Sequence, residues 1–246
     1  MNRSNLLAAL FMLFVGAGAE GAANPAEPGT VASSDLPAPF RRFTSNVQVS
    51  LDGTDVVLQT NDVPNHPSPY FPLDSPLHAT NEDPHFRPAP ARILPQNIRF
   101  RIPLHPQVDA AHESTPLGPI GISLNGVVFF NQYNAQFQPL TREIRSFDQY
   151  NGHPQPQGVY HYHVEPTYLT STLGKSALLG FLLDGFPVYG PVENGRTIGN
   201  ADLDAFHGHF GPTAEYPQGI YHYHVTNEDP YINGGSFYGM PGTVSN

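Results

Sequence analysis

Three blocks of sequence occur twice in the second half of this chain, in the same order. Gly121-Ile-Ser-Leu-Asn-Gly126 returns as Gly180-Phe-Leu-Leu-Asp-Gly185, and Asp148-Gln-Tyr-Asn-Gly-His153 returns as Asp204-Ala-Phe-His-Gly-His209. Gln157-Gly-Val-Tyr-His-Tyr-His-Val164 then returns as Gln218-Gly-Ile-Tyr-His-Tyr-His-Val225. Length differences between the copies fall in Pro- and Gly-rich connections, so residues of about 117–165 and 176–226 read as two copies of one unit. Each copy reads as a strand, an Asn-Gly or Asp-Gly turn, a second strand, a polar loop with a Gly-His, and a Tyr-His-Tyr-His strand. Two copies are too few for a solenoid. They are expected to pack as a pseudo-two-fold pair, with the two Tyr-His-Tyr-His strands in one sheet or in facing sheets.

The rest of the chain points to the same class. Twenty-seven prolines and 23 glycines among 246 residues leave little room for long helices. Val47, Val49 and Leu51 alternate with polar residues, turn at Asp52-Gly53 and are answered by Val56-Val57-Leu58, a hairpin. Ile98, Phe100 and Ile102 alternate as a strand that Pro103 stops. Thr60 to Pro95 is a long proline-rich loop, functional or poorly ordered at that length. The stretch Thr167 to Phe181 is the one place for a short helix or turn. The expected fold is all-β, a sandwich or barrel of short strands with an internal pseudo-two-fold duplication, in a single domain over 43–246. Ahead of it, Arg3, the apolar run Leu6 to Val15 and Ala17-Gly18-Ala19 read as a signal peptide over 1–19. That run is too short to span a membrane. The Ala/Pro/Ser/Gly-rich 20–42 reads as a disordered linker. The expected location is secreted or periplasmic.

Side chains alternate faces along a strand, so His161 and His163 share one face and Tyr160 and Tyr162 the other. His222 and His224 stand in the same relation to Tyr221 and Tyr223. Alternate residues lie roughly 6.5–7 Å apart at the backbone, close enough for two imidazoles to converge on one ion. His153 and His209, from the Gly-His loops, are candidates for the third ligand of each site. Three histidines with an open position suit zinc or copper. Asp148 and Asp204, five residues before those histidines, are candidates for fixing a ring tautomer from behind the metal. A tyrosine core face with solvated histidines opposite would explain one copy, but not the same histidines repeated in loop and strand.

Other chemistries find little support. The chain has no cysteine, which removes thiol catalysis and disulfides. Its formal charge is −10 with one lysine, Lys175, and no basic patch, which argues against nucleic acid. There is no G-x-S-x-G and no P-loop. Asn125-Gly126 and Asp184-Gly185 read as turns needing positive φ rather than as a catalytic carboxylate site. His78, His85, His105 and His112 sit among prolines with no partner at ligand spacing.

Thr60-Asn-Asp-Val-Pro-Asn-His66, Leu94 to Pro103, Gly121 to Gly126, Gly152-His153, Tyr160 to His163, Leu179 to Gly190, Gly208-His209 and Tyr221 to His224 together resemble the bacterial secreted proteins named for their YHYH motif. The resemblance runs from about Phe43 to Tyr238. It implies export and a single domain, and it puts His66 forward as a further ligand. Asp62 stands where such proteins more often have Gly, so the backbone of the loop carrying His66 is expected to differ, and the cysteines of many relatives are missing. The function expected is an exported protein binding a transition metal, copper or zinc, through the duplicated strands. A metal-dependent extracellular hydrolase or oxidase, and a non-metal binding or structural module, are the alternatives.

Overall fold

A computed structural model describes residues 36–246. The signal-peptide reading and the first part of the linker reading lie outside the described residues. Two sheets carry the architecture. The smaller is antiparallel throughout, in the order β1-β2-β3-β14, with β1 at Val47–Asp52, β2 at Asp55–Thr60, β3 at Ile98–Pro103 and β14 at Thr243–Ser245. The expected hairpin and the Ile98 strand are therefore neighbours in one sheet.

The larger sheet has eight strands and is a palindrome. Its first half consists of β4 (Gly121–Ser123), β5 (Val128–Phe129), β6 (Gly152–Pro154) and β7 (Tyr160–Tyr162). Its second half consists of β8 (Leu178–Leu182), β9 (Pro187–Tyr189), β12 (Gly208–Gly211) and β13 (Ile220–His224). The spatial order is β12-β13-β9-β8-β4-β5-β7-β6, so each strand of one copy has its counterpart equally far from the centre. The pairing repeats register for register. His153 lies opposite His161 and His209 opposite His222, while Phe129 pairs with Tyr162 and Val188 with Tyr223. At the centre β4 and β8 run antiparallel with Ile122 opposite Phe181, which are equivalent residues of the two copies. A local two-fold normal to the sheet through that pair exchanges the units and preserves the faces. Between the halves β10 (Val192–Glu193) and β11 (Arg196–Thr197) form a small ribbon. The end strands β12 and β6 do not pair, so the fold is sandwich-like and no barrel closes.

The two β-turns at the centre tie the sheets together. Gly126 and Gly185 take φ of +84° and +80°. A Cβ on Gly126 would stand 2.8 Å from Asn46 and Thr60 side chains, and one on Gly185 2.5 Å from the Pro103 carbonyl. Both turns thus need glycine for conformation and for contact with the smaller sheet. Val56, Leu58, Phe100 and Ile102 of that sheet join Ile122, Phe129, Phe181 and Leu182 of the larger one in one apolar cluster.

Three expectations need correction in detail. The linker does not run loose to Arg42: Leu36 and Phe40 are buried, Ala38–Arg42 forms a 3-10 helix, and Phe40 stacks on Phe181 with ring centroids 4.5 Å apart. The stretch from Thr167 divides into a helix, α1 (Thr167–Leu173), and the buried strand β8 from Leu178. Finally, Thr60 to Pro95 has almost no regular structure yet is packed, with Asp62, His66, Ser68 and Tyr70 fully buried. Asp62 takes φ of +57°, a conformation glycine adopts freely and Asp tolerates better than most. Its carboxylate accepts a hydrogen bond from Val128 N at 3.1 Å, across to β5. Among the described residues no helix is long and apolar enough to cross a membrane.

The seam between β4 and β8 gives a direct test. A Cβ on Gly180 would lie 2.2 Å from the Ile122 carbonyl oxygen, and one on Gly121 2.4 Å from that of Phe181. Neither neighbour is a movable side chain. Gly180→Ala is expected to cost roughly 1–3 kcal/mol or more, as other overpacked cores do. Chemical denaturation measures it, and an unchanged midpoint would contradict the register.

Candidate metal centres

In each copy the Gly-His residues lie on a strand, not in a loop, and that strand pairs antiparallel with the Tyr-His-Tyr-His strand. The pairing sorts side chains by face. His153 stands beside His161, with His163 two residues along, and His209 stands likewise beside His222 and His224. The ligand atoms of His153, His161 and His163 all lie within 4.8 Å of one another, as do those of His209, His222, His224 and Glu193.

The opposite face explains the rest of the repeated block. A Cβ on Gly152 would lie 2.3 Å from the Tyr160 ring, and one on Gly208 2.5 Å from the Tyr221 hydroxyl. The glycine lets the first tyrosine of the motif lie across its neighbouring strand. Tyr160 thereby donates to Asp148 at 2.7 Å and Tyr221 to Asp204 at 2.9 Å. The same carboxylates accept from the backbone of the turn, Tyr150 N at 2.8 Å for Asp148 and Phe206 N at 2.9 Å for Asp204. Asp148 and Asp204 are therefore tyrosine anchors on the far side of the sheet, and the reading that they orient His153 and His209 is corrected.

His66 is also on the tyrosine side. Its Nδ1 faces the Pro67 carbonyl at 3.2 Å and its Nε2 the Tyr162 hydroxyl at 2.8 Å. A carbonyl only accepts, so Nδ1 carries the proton and Nε2 takes one from Tyr162. With its lone pair used and Tyr150, Tyr160 and Tyr168 packed round its ring, His66 does not join either cluster. In the second copy Asp184 fills the equivalent role, accepting from Tyr223 at 2.6 Å. Burial lifts its pKa to about 6. His78 faces the Phe71 carbonyl at 2.9 Å and His112 packs tilted against Phe206 with ring centroids 4.2 Å apart, and neither belongs to a cluster.

Backbone carbonyls do the work expected of the aspartates. His161 Nδ1 donates to Val159 O at 3.1 Å, His163 Nδ1 to Asn131 O, His222 Nδ1 to Ile220 O at 3.0 Å and His224 Nδ1 to Gly190 O at 2.8 Å. His153 reaches the same state by relay. Ser146 spends its hydroxyl proton on Glu143 O at 2.7 Å, so it must accept from His153 Nδ1 at 2.8 Å. Every ring of the first cluster thus carries its proton on Nδ1 and turns a bare Nε2 lone pair inward.

Those lone pairs are close together. Nε2 of His161 and His163 are 3.0 Å apart, and His153 Nε2 is buried with no hydrogen-bond partner among the described residues. In the second cluster His209 Nε2 lies 3.1 Å from that of His222 and 3.2 Å from that of His224. Two bare lone pairs at that range repel unless a cation lies between them. A proton is a poor candidate. Burial, then the neighbouring imidazoles, hold His161 well below its ordinary value, and His153 at about 3; burial holds His163 at about 4 and His224 at about 3. A tetrahedral ion with Zn–N near 2.0–2.1 Å needs ligand nitrogens roughly 3.3 Å apart, close to the spacing here.

Two carboxylates near the clusters carried no signal in the motif. Glu193, in β10, places its oxygens 3.4 Å from His222 Nε2 and 3.5 Å from His209 Nε2. Glu143 lies 3.5 Å from His153 Nε2, outside the group of mutually close ligand atoms. Both arise in the connection between the second strand and the Gly-His strand of their copy. That shared topological position is the only cue the sequence holds.

The two faces make separable predictions. Tyr162→Phe removes the donor to His66 and the acceptor of Asn125 Nδ2 at 3.3 Å, and should cost about 1–3 kcal/mol for the buried groups left unpaired. Metal stoichiometry, read by elemental analysis of the folded protein, should be unchanged.

Comparison with known proteins agrees with the motif geometry. A family model described as YHYH protein matches residues 99–197 and 193–236. No curated protein and no solved structure matches the chain. The matched segments contain both histidine clusters and more than half of the sequence, and the chain belongs to the YHYH protein family.

Proposed function

We propose that this chain is an exported protein that holds transition-metal ions, copper or zinc, at two imidazole centres built from its duplicated strands. The observation that carries the reading is the tautomer lock: His153, His161 and His163 all have Nδ1 bound by an acceptor, leaving three converging Nε2 lone pairs in a buried site. The donor set suits the ion. Neutral imidazole binds zinc and copper well, and the chain has no thiolate to compete. Bound there, the ion would supply Lewis acidity or redox chemistry, and the protein supplies a fixed geometry and neutral hydrogen-bond acceptors behind the rings. Export rests on the N-terminal sequence.

Two tests follow from the lock. The mature protein should bind two Zn(II) or Cu(II) per chain with at least micromolar affinity. His153→Ala, His161→Ala or His163→Ala should each remove most of the affinity of the first centre, and the triple change should cost little more than the worst single one. Isothermal calorimetry with no heat, or small additive losses, would leave the non-metal alternative standing.

The second test is the pH profile. Folded-state pKa values of about 3 for His153 and about 4 for His163 lie below the ordinary imidazole value of about 6.5. Protons therefore do not compete for these rings near pH 6.5, and metal affinity of the first centre should stay level down to about pH 5 and collapse only near pH 4. The sign for stability follows from the same shifts. The unfolded chain takes up protons on these histidines below about pH 6.5 while the folded metal-free chain does not, so its stability is full above that value and falls towards pH 4. Release at pH 6 to 6.5, or stability flat across that window, would show solvated histidines instead.

A further inference from the structure

The two centres share a motif but not an environment. His153, His161 and His163 line a cavity of about 460 Å³. Its walls include Ala89, Ala91, Leu117 and Phe130, with Phe130 stacked on His161 at 4.0 Å between ring centroids. Among the described residues the one carboxylate on the lining is Glu143, and no Lys or Arg lines it. Glu143 stands at the side, near His153 alone. The second centre also adjoins a depression, of about 400 Å³, but Glu193 lines it and sets its two oxygens against His209 and His222. One centre thus has three protein donors and a space beyond them. The other has four donors, the fourth being a carboxylate that lines the space beside His222 and His224.

We infer that the first centre keeps an open coordination position for an external ligand, an uncharged molecule with an apolar body and a single nitrogen or oxygen donor, while Glu193 closes the second centre. The inference rests on the metal-binding reading above and adds to it a ligand class and a division of labour. An anionic ligand finds no countercharge in the cavity beyond the metal itself, and the nearest carboxylate opposes it. An apolar body gains by leaving water for the Ala, Leu and Phe walls. The volume falls in the ordinary range of small-molecule sites, roughly 300–1,000 Å³. An open fourth position on three histidines is the arrangement by which metal sites receive a substrate.

Cobalt(II) reports the number of donors by its visible bands, so the test uses the full mature protein loaded with Co(II) and titrated with imidazole and 4-phenylimidazole. Cobalt content is measured before and after. We expect two Co(II) per chain, half of the visible absorbance shifting on addition, and 4-phenylimidazole binding at least ten times more tightly than imidazole. The shift should persist in the His222→Ala, His224→Ala double variant, which retains the first centre. It should vanish in His161→Ala, His163→Ala. A variant that touches no ligand guards against misfolding. Ala91→Trp should leave cobalt content and the starting spectrum unchanged, yet weaken 4-phenylimidazole by tenfold or more by filling the cavity.

The inference is overturned if cobalt binds but neither centre responds, if both respond alike, or if 4-phenylimidazole has no advantage. It is also overturned if the first centre responds only after Glu143→Gln, since Glu143 would then be closing it as Glu193 closes the second. A protein that binds no cobalt at all overturns the metal reading itself, and this inference with it.

Discussion

The antiparallel pairing of the Gly-His strand with the Tyr-His-Tyr-His strand is the contact on which both centres depend. One register gathers three imidazoles on one face of the sheet and lays a tyrosine across a glycine on the other. A slip of one residue would send the histidines to the tyrosine side and oppose a Cβ-bearing residue to the ring. The two faces have opposite energetics. Converging lone pairs without a cation destabilise the folded state, because each has lost its water and faces another acceptor. The tyrosine face stabilises it, through fully buried aromatic rings whose hydroxyls reach Asp148, Asp184, Asp204 or His66. A strand that had only the histidines would have no reason to hold them together in the absence of a cation. Alternation lets one short segment carry both the cluster and the packing that preorganises it.

Duplication extends the same economy to the sheet. Because Ile122 faces Phe181, the seam is made of equivalent residues, and each copy covers the open edge of the other. Selection on one half of such a seam acts on its partner too, which fits the glycines at 121 and 180 both being pressed against the opposite backbone. The connections escape that coupling. They run outside the paired strands, and it is there that the copies diverge, with Glu143 beside a buried cluster in one and Glu193 within a half-buried cluster in the other. Symmetry sets where the histidines stand, and asymmetry in the loops sets what surrounds them.

What could be read from the sequence follows that division. Strand period two placed His161 and His163 opposite Tyr160 and Tyr162, and the repeat identified His153 and His209 as their companions. The three blocks also carried the pseudo-two-fold, but left open whether the paired strands share one sheet or face each other, which the β4–β8 seam decides. Asp148 and Asp204 were misread because nearness along the chain says nothing about face: each lies before a turn, and its carboxylate serves that turn and the tyrosine. His66 lies far outside the repeat, and only its partners, Pro67 and Tyr162, reveal that its lone pair is occupied. Phe40 was lost in a composition that resembles a linker, although one aromatic ring stacked on Phe181 is enough to anchor the segment. Glu143 opens a four-residue 3-10 helix and Glu193 ends a two-residue strand, elements too short for any periodicity to mark them.

The choice of neutral acceptors behind the rings has a further consequence. A carboxylate hydrogen-bonded to Nδ1 fixes the tautomer but also stabilises the imidazolium, raising the ring's pKa and favouring a proton on Nε2. A backbone carbonyl or a serine hydroxyl fixes the same tautomer with a dipole in place of a full charge. In the first cluster every Nδ1 partner is of that neutral kind, and Asp148 is held on the other face by Tyr160 and Ser68. Burial then dominates, so His153 and His163 stay unprotonated well into the acid range. The anchoring of tyrosines by Asp148 and Asp204 is thus more than packing. It keeps the two aspartates of the repeat away from rings whose usefulness depends on remaining neutral.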